Sequence, residues 1–111
     1  MRTHKNIGRR MTSVSLACFL TFSICLAEVG NPTIKTGAMV YQDYCSSCHG
    51  EELRNTSGGA TFDLRRLRPQ DHDRFVNSVL NGKNQMPPWR GVLDLHQIDS
   101  IWAYIRANVD Q

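Results

Sequence analysis

The stretch Cys45-Ser46-Ser47-Cys48-His49 decides how the rest of this chain is read. Two cysteines with two residues between them and a histidine directly after have the spacing of a c-type haem attachment site. Two thiols on one helical turn can reach the two vinyl groups of one porphyrin, and the adjacent imidazole then lies beneath the iron. Two other chemistries use such a pair. Structural zinc needs four ligands at paired spacings, but no second cysteine pair follows Cys48, and His72 and His96 stand isolated. A redox dithiol calls for a βαβ context, and none is visible downstream. Cys45 and Cys48 are therefore read as covalent attachment points and His49 as the first axial ligand of the iron.

The chain has 111 residues and four cysteines, enough for one small domain. Residues 1–27 have the layout of a secretory signal. Arg2, Lys5, Arg9 and Arg10 form a basic start, Val14 to Leu26 is mostly apolar, and Cys25-Leu26-Ala27 puts small residues at the positions a signal peptidase inspects. Cleavage is expected between Ala27 and Glu28, which places the mature protein in the periplasm. The apolar stretch is shorter than the roughly 20 residues of a membrane span and is interrupted by Thr12, Ser13, Ser15, Thr21 and Ser23. It lacks a lipoprotein pattern at Cys18 or Cys25, and the apolar residues that should follow a twin-arginine pair are missing after Arg9-Arg10. Retention as an uncleaved anchor is the main competing expectation.

Cleavage changes the charge. Four of the 13 Lys and Arg leave with the signal, so nine remain against 10 Asp and Glu, a formal net of −1 in place of +3. The precursor's basicity therefore gives no support to a nucleic-acid or membrane-surface role. Cys45 and Cys48 become the only cysteines, and a disulfide closing so short a loop would stabilise little.

Residues 28–35, with Gly30 and Pro32, read as a flexible leader, and 36–111 as the folded domain. A domain this small gains from an added constraint, which a haem supplies as a large apolar plate. Ala38, Val40, Tyr41 and Tyr44 predict a first helix from Thr36, its possible cap, to Cys45. Gly50 to Ala60, with Gly58-Gly59, predicts a loop, after which Phe62-Asp63-Leu64 returns to the core. Arg65-Arg66-Leu67-Arg68 reads first as a solvated face, with haem propionates or an acidic partner as other uses. A second helix opens around Gln70-Asp71-His72-Asp73, buries Phe75, Val76, Val79 and Leu80, and stops at Gly82. His72 reads as a surface histidine.

Met86-Pro87-Pro88 cannot continue a helix, so the segment from Gly82 to Trp89 predicts a stiff strap bearing one thioether. A lone methionine is more often core filler. Met86, however, is the only Met after Met39, which lies too close to the attachment helix to cross easily to the opposite haem face. The last helix is signalled by Asp94 as cap, Gln97 as its capping-box partner and Leu93 with Ile98 as staple. Ile98, Ile101, Trp102 and Ile105 form its apolar face. No convincing strand is visible.

From Thr36 to Val109 the chain resembles class I monohaem cytochromes c of bacterial type, through the attachment motif, Met86-Pro87-Pro88 and Ile101-Trp102-Ala103-Tyr104-Ile105 in that order. The residues from Gly58 to Arg66 and from Asn81 to Trp89 are similar to small cytochromes associated with pyrroloquinoline-quinone (PQQ) alcohol dehydrogenases. The resemblance implies an all-α fold of three to four helices around one covalent haem c. It also implies a crossing of the first and last helices, with Gly37 and Tyr41 against the Trp102 and Tyr104 region. The expected function is one-electron transfer, with His49 and Met86 as axial ligands, between a quinoprotein alcohol dehydrogenase and a terminal oxidase. No enzymatic site is implied, and a monomer is expected. Arg65, Arg66, Lys83 and Arg90 are expected beside the exposed haem edge. Relatives usually carry proline just before the Asp-Leu, where a nearby carbonyl accepts the proximal histidine's N–H. Phe62 stands there instead, leaving the acceptor unassigned. The alternative is a sensing or ligand-binding haem protein in which Met86 does not reach the iron.

Overall fold

The computed structural model describes residues 30–109. The expected signal, residues 1–27, lies outside the described residues. Four α-helices follow in order: α1 Pro32–Tyr44, α2 Ser46–His49, α3 His72–Asn81 and α4 Leu95–Val109. Short 3-10 turns at Glu51–Leu53, Leu64–Arg66 and Pro69–Asp71 occupy the stretch between α2 and α3. The described residues contain isolated bridges but no strand, so the all-α architecture matches the expectation.

α1 begins at Pro32 and not at Thr36. The Asn31 side chain accepts from the Thr33 N–H at 2.9 Å, and Pro32 occupies a first-turn position where its missing N–H is not needed. Pro32 to Lys35, assigned to a flexible leader on sequence grounds, are therefore helix. Cys45 caps the far end of α1, its N–H donating to the Tyr41 carbonyl at 2.8 Å.

α1 and α4 form the principal helix–helix interface. Gly37 lies directly on the Ser100 and Ile101 backbone, where a β-carbon would collide with the Ser100 carbonyl. Beside it Tyr41 packs on Tyr104, ring centroids 5.4 Å apart. The expected packing of Gly37 and Tyr41 on this region is thus present, with Tyr104 as the aromatic partner. Trp102 is turned about 100° from Ile101 by the helical period, and its ring packs on Phe75 and His72 at 5.3 Å. Tyr41, Ile98, Ile101 and Ile105 are buried in the centre, with Leu53, Leu67, Phe75, Val79 and Leu93 around them.

α4 opens with the expected reciprocal cap. Gln97 N–H donates to Asp94 Oδ1 at 2.7 Å, and Asp94 N–H donates to Gln97 Oε1 at 3.0 Å. α3 ends at Gly82 (φ 75, ψ 166), a backbone region essentially restricted to glycine. The carbonyls left over at that end are used to hold the strap: Trp89 N–H donates to Val79 at 2.9 Å and Arg90 N–H to Leu80 at 3.2 Å.

Candidate functional site

Cys45, Cys48 and His49 are brought together by one helical turn. Cys48 and His49 both donate their N–H to the Cys45 carbonyl, at 3.2 and 2.9 Å. Cys45 and Cys48 are not joined in a disulfide. Burial first, and then the neighbouring Cys48, push the Cys45 thiol up to about 11. Among the described residues no group of three or more His, Cys, Asp or Glu side chains is gathered as a metal site of those ligands would require.

His49 is oriented by a partner that sequence reasoning left open. Its Nδ1 lies 3.1 Å from the Phe62 carbonyl oxygen. An Nδ1–H donated there leaves Nε2 as the nitrogen with a lone pair for a metal. Its apolar character predicts that Phe62 returns to the core, yet the residue is 44% exposed and its ring lies under the Arg74 guanidinium at 5.6 Å. The carbonyl is committed to His49, and the ring finishes at the surface. Upstream, the Tyr41 hydroxyl donates to the Gly50 carbonyl at 2.6 Å, tying α1 to the residue after His49. Burial, with the nearby Cys45 as the next cause, holds that phenol far above its ordinary pKa, so it remains a donor.

Met86 arrives on the strap. Lys83 and Met86 exchange backbone hydrogen bonds at 3.1 and 3.0 Å, making a tight turn whose Asn84 has positive φ. Met86 is half-buried against the core, whereas Met39 is exposed on α1. The strap meets the attachment end of α1 through Trp89, which packs edge-on against Tyr44 at 5.4 Å. Residues immediately before Cys45 and shortly after Met86 are thus in contact. Apolar surface is open in the same parts of the chain: Tyr44 and Phe62 are exposed large side chains, and Pro87 and Pro88 are exposed as well. A pair of cysteines on one helical turn, an imidazole with one nitrogen already engaged and a half-buried thioether fit a covalently attached haem by their donor chemistry.

The cations expected at a docking face are differently occupied. Arg65 is paired with Asp63 at 2.8 Å, and Arg90 donates to Asn81 Oδ1 at 2.8 Å. Arg66 and Lys83 are exposed. His72 is a surface histidine as expected, with Nε2 2.9 Å from Asp99. A groove of about 420 Å³ lies along His72, Val76, Leu80, Arg90, Leu95 and Asp99, and its lining includes none of Cys45, Cys48, His49 and Met86.

Residues 32–105 match the family model described as "Cytochrome C oxidase, cbb3-type, subunit III". Cytochrome c-555 of Methylococcus capsulatus is 33% identical over 96% of this chain and 89% of its own length. Cytochrome c6 of a Nostoc species is 30% identical over 67% of this chain and 69% of its own. Quinohemoprotein alcohol dehydrogenase ADH-IIG of Pseudomonas putida is 36% identical over 66% of this chain, which spans only 10% of that protein. A solved structure of ADH-IIG shares the fold with a TM-score of 0.61 and 24% identity, covering 99% of this chain and 15% of that one. The helical fold, the Cys45-to-His49 motif and these relatives lead to one assignment: the chain belongs to the cytochrome c family, in the cbb3-type domain class, and is an electron carrier with a covalently bound c-type haem.

Proposed function

We propose that the chain is an exported, periplasmic one-electron carrier with Cys45 and Cys48 as the thioether positions and His49 and Met86 as the axial ligands. The observation that carries the ligand reading is the His49 Nδ1 contact with the Phe62 carbonyl, which leaves Nε2 for iron. When bound, the haem supplies a one-electron change between Fe(II) and Fe(III). The protein's part is positional. Phe62 aims the imidazole and raises its basicity, while the turn from Lys83 to Met86 and its attachment to α3 limit how far the thioether can wander. Histidine with methionine gives a higher potential than two nitrogen ligands, which suits passage of electrons towards a terminal oxidase.

Similarity to part of a quinohemoprotein alcohol dehydrogenase supports a PQQ-dependent alcohol dehydrogenase as the electron donor. Among the described residues no helix is long and apolar enough to cross a membrane. We read the mature protein as a monomer, with export depending on residues 1–27.

The test is made on the purified haem-loaded protein. The native form should show the weak far-red band of sulfur bound to ferric iron and should take up carbon monoxide poorly when reduced. Met86→Ala should abolish the band, admit carbon monoxide and lower the potential, with the haem still attached on a denaturing gel. A native protein that lacks the band and binds carbon monoxide readily would remove Met86 from the iron and favour the sensing alternative.

A further inference from the structure

The loop from Asn55 to Phe62 is closed by side chains to an extent its glycine-rich sequence does not suggest. The Asn55 amide nitrogen donates to the Thr61 carbonyl at 2.9 Å. Asn55 Oδ1 in turn accepts from the Ser57 N–H at 2.9 Å and from the Ser57 hydroxyl at 2.7 Å. Ser57 Oγ accepts the Thr61 N–H at 3.0 Å and lies 2.9 Å from Thr61 Oγ1. The Thr61 hydroxyl also lies 3.0 Å from the Cys48 carbonyl, where it can donate. The next residue is Phe62, whose carbonyl meets His49. On its other side, Asp63 caps the following 3-10 turn by accepting from the Arg65 N–H at 3.0 Å.

Thr61 therefore links the attachment turn to the loop that carries Phe62. It is bonded to the residue before His49 and is covalently joined to the residue that orients His49. A proline at position 62 would restrict the backbone by its ring. Phenylalanine leaves φ free, so the position of the carbonyl has to be held by something else. We propose that Thr61, braced by Ser57 and Asn55, is the positioning residue that holds the Phe62 carbonyl on His49, and so sets the electron donation of the imidazole to the iron. The cluster takes the place of the ring constraint that Phe62 lacks. A stronger Nδ1–H···O=C bond makes the imidazole a better donor, which favours Fe(III). Loosening the cluster should therefore raise the reduction potential. This inference rests on His49 as an iron ligand, as proposed above.

The experiment compares Thr61→Val, Ser57→Ala and Thr61→Ser in the haem-loaded protein. Asp94→Ala serves as a control that weakens the α4 cap without touching the cluster. His49→Ala is measured first, and loss of the native low-spin spectrum there establishes the ligand; if the spectrum survives, the functional reading fails before this inference is reached. With the ligand established, Thr61→Val and Ser57→Ala should raise the potential. They should also speed exchange of the His49 ring N–H, followed by NMR, by about fivefold, the loss expected for one net hydrogen bond. Thr61→Ser should restore both values, and Asp94→Ala should leave both at the native level. The proposal is overturned if Thr61→Val keeps the native potential and exchange rate, or if Asp94→Ala shifts them equally.

Discussion

The α1–α4 interface and the attachment-and-strap region are built from different forces. At the interface Tyr41, Ile98, Ile101 and Ile105 are 0–1% exposed, and full burial of one large apolar side chain contributes about 1.5–3 kcal/mol. Around Cys48, Phe62 and the strap, much of the surface is open, and the segments are held chiefly by hydrogen bonds to backbone. Each of those contributes about 0.5–1.5 kcal/mol net. The interface can therefore carry the fold, while the site region holds in place the side chains proposed as ligands. Changes at the interface should cost stability, and changes in the site region should alter coordination with a smaller loss of stability.

The largest effect should come from Gly37→Ala. Its methyl group would occupy the place of the Ser100 carbonyl, and backbone on both helices gives way less easily than a flexible side chain. The cost should lie at or above the top of the about 1–3 kcal/mol range for overpacking, a fall in Tm of more than about 10 °C for a domain of this size. Thermal unfolding followed by circular dichroism checks this. A Tm near the native value would mean that the close approach of α1 and α4 does not hold the fold together.

Gly82→Ala should have an intermediate effect and a different signature. A side chain at φ 75, ψ 166 costs about 1–3 kcal/mol, and the added methyl group would press on the Met86 carbonyl and the Pro88 nitrogen. The expected result is a moderate fall in Tm, with the far-red sulfur–iron band weakened while the haem stays attached. An unchanged band alongside a lowered Tm would show that Gly82 serves the fold and does not position Met86.

The smallest effect belongs to Asp71→Asn, and it should depend on pH. The Arg68 side chain first, then the Arg68 N–H, hold the Asp71 carboxyl below the ordinary aspartate range, with Arg74 contributing at 3.5 Å. A depressed folded-state pKa adds stability above the unfolded value, about 3.9, and that contribution is lost as pH falls through the folded value. The gap in Tm between native protein and variant should therefore be widest near neutrality and close in acid. A gap independent of pH would assign the role of Asp71 to hydrogen-bond geometry and not to its charge.

Much of the fold is legible because its signals are local. The Asp94/Gln97 box, the stop at Gly82 and the apolar stripe of α4 each follow from residues within a few positions of one another. Expectation and structure differ where a local signal is outweighed or ambiguous. Thr36 is a possible cap by its sequence, but Asn31 followed by Pro32 is the stronger start and extends α1. Trp102 and Tyr104 belong to one aromatic stretch, and the helical period separates them, with Tyr104 on Tyr41 and Trp102 on Phe75. Phe62 reads as a returning core residue by its apolar character, which says nothing about where its carbonyl is needed.

The sequence by itself determined the chemistry available: paired thiols and a histidine on one turn, one methionine followed by two prolines, and a small helical domain to carry them. These depend on side-chain identity and on spacing along the chain. Only the tertiary structure decided which carbonyl orients His49, how Asn55, Ser57 and Thr61 brace it, and that Trp89 meets Tyr44. Such contacts join residues 13 or more positions apart or depend on loop conformation. A hydrogen bond to a backbone carbonyl leaves no mark in the identity of the residue that supplies it.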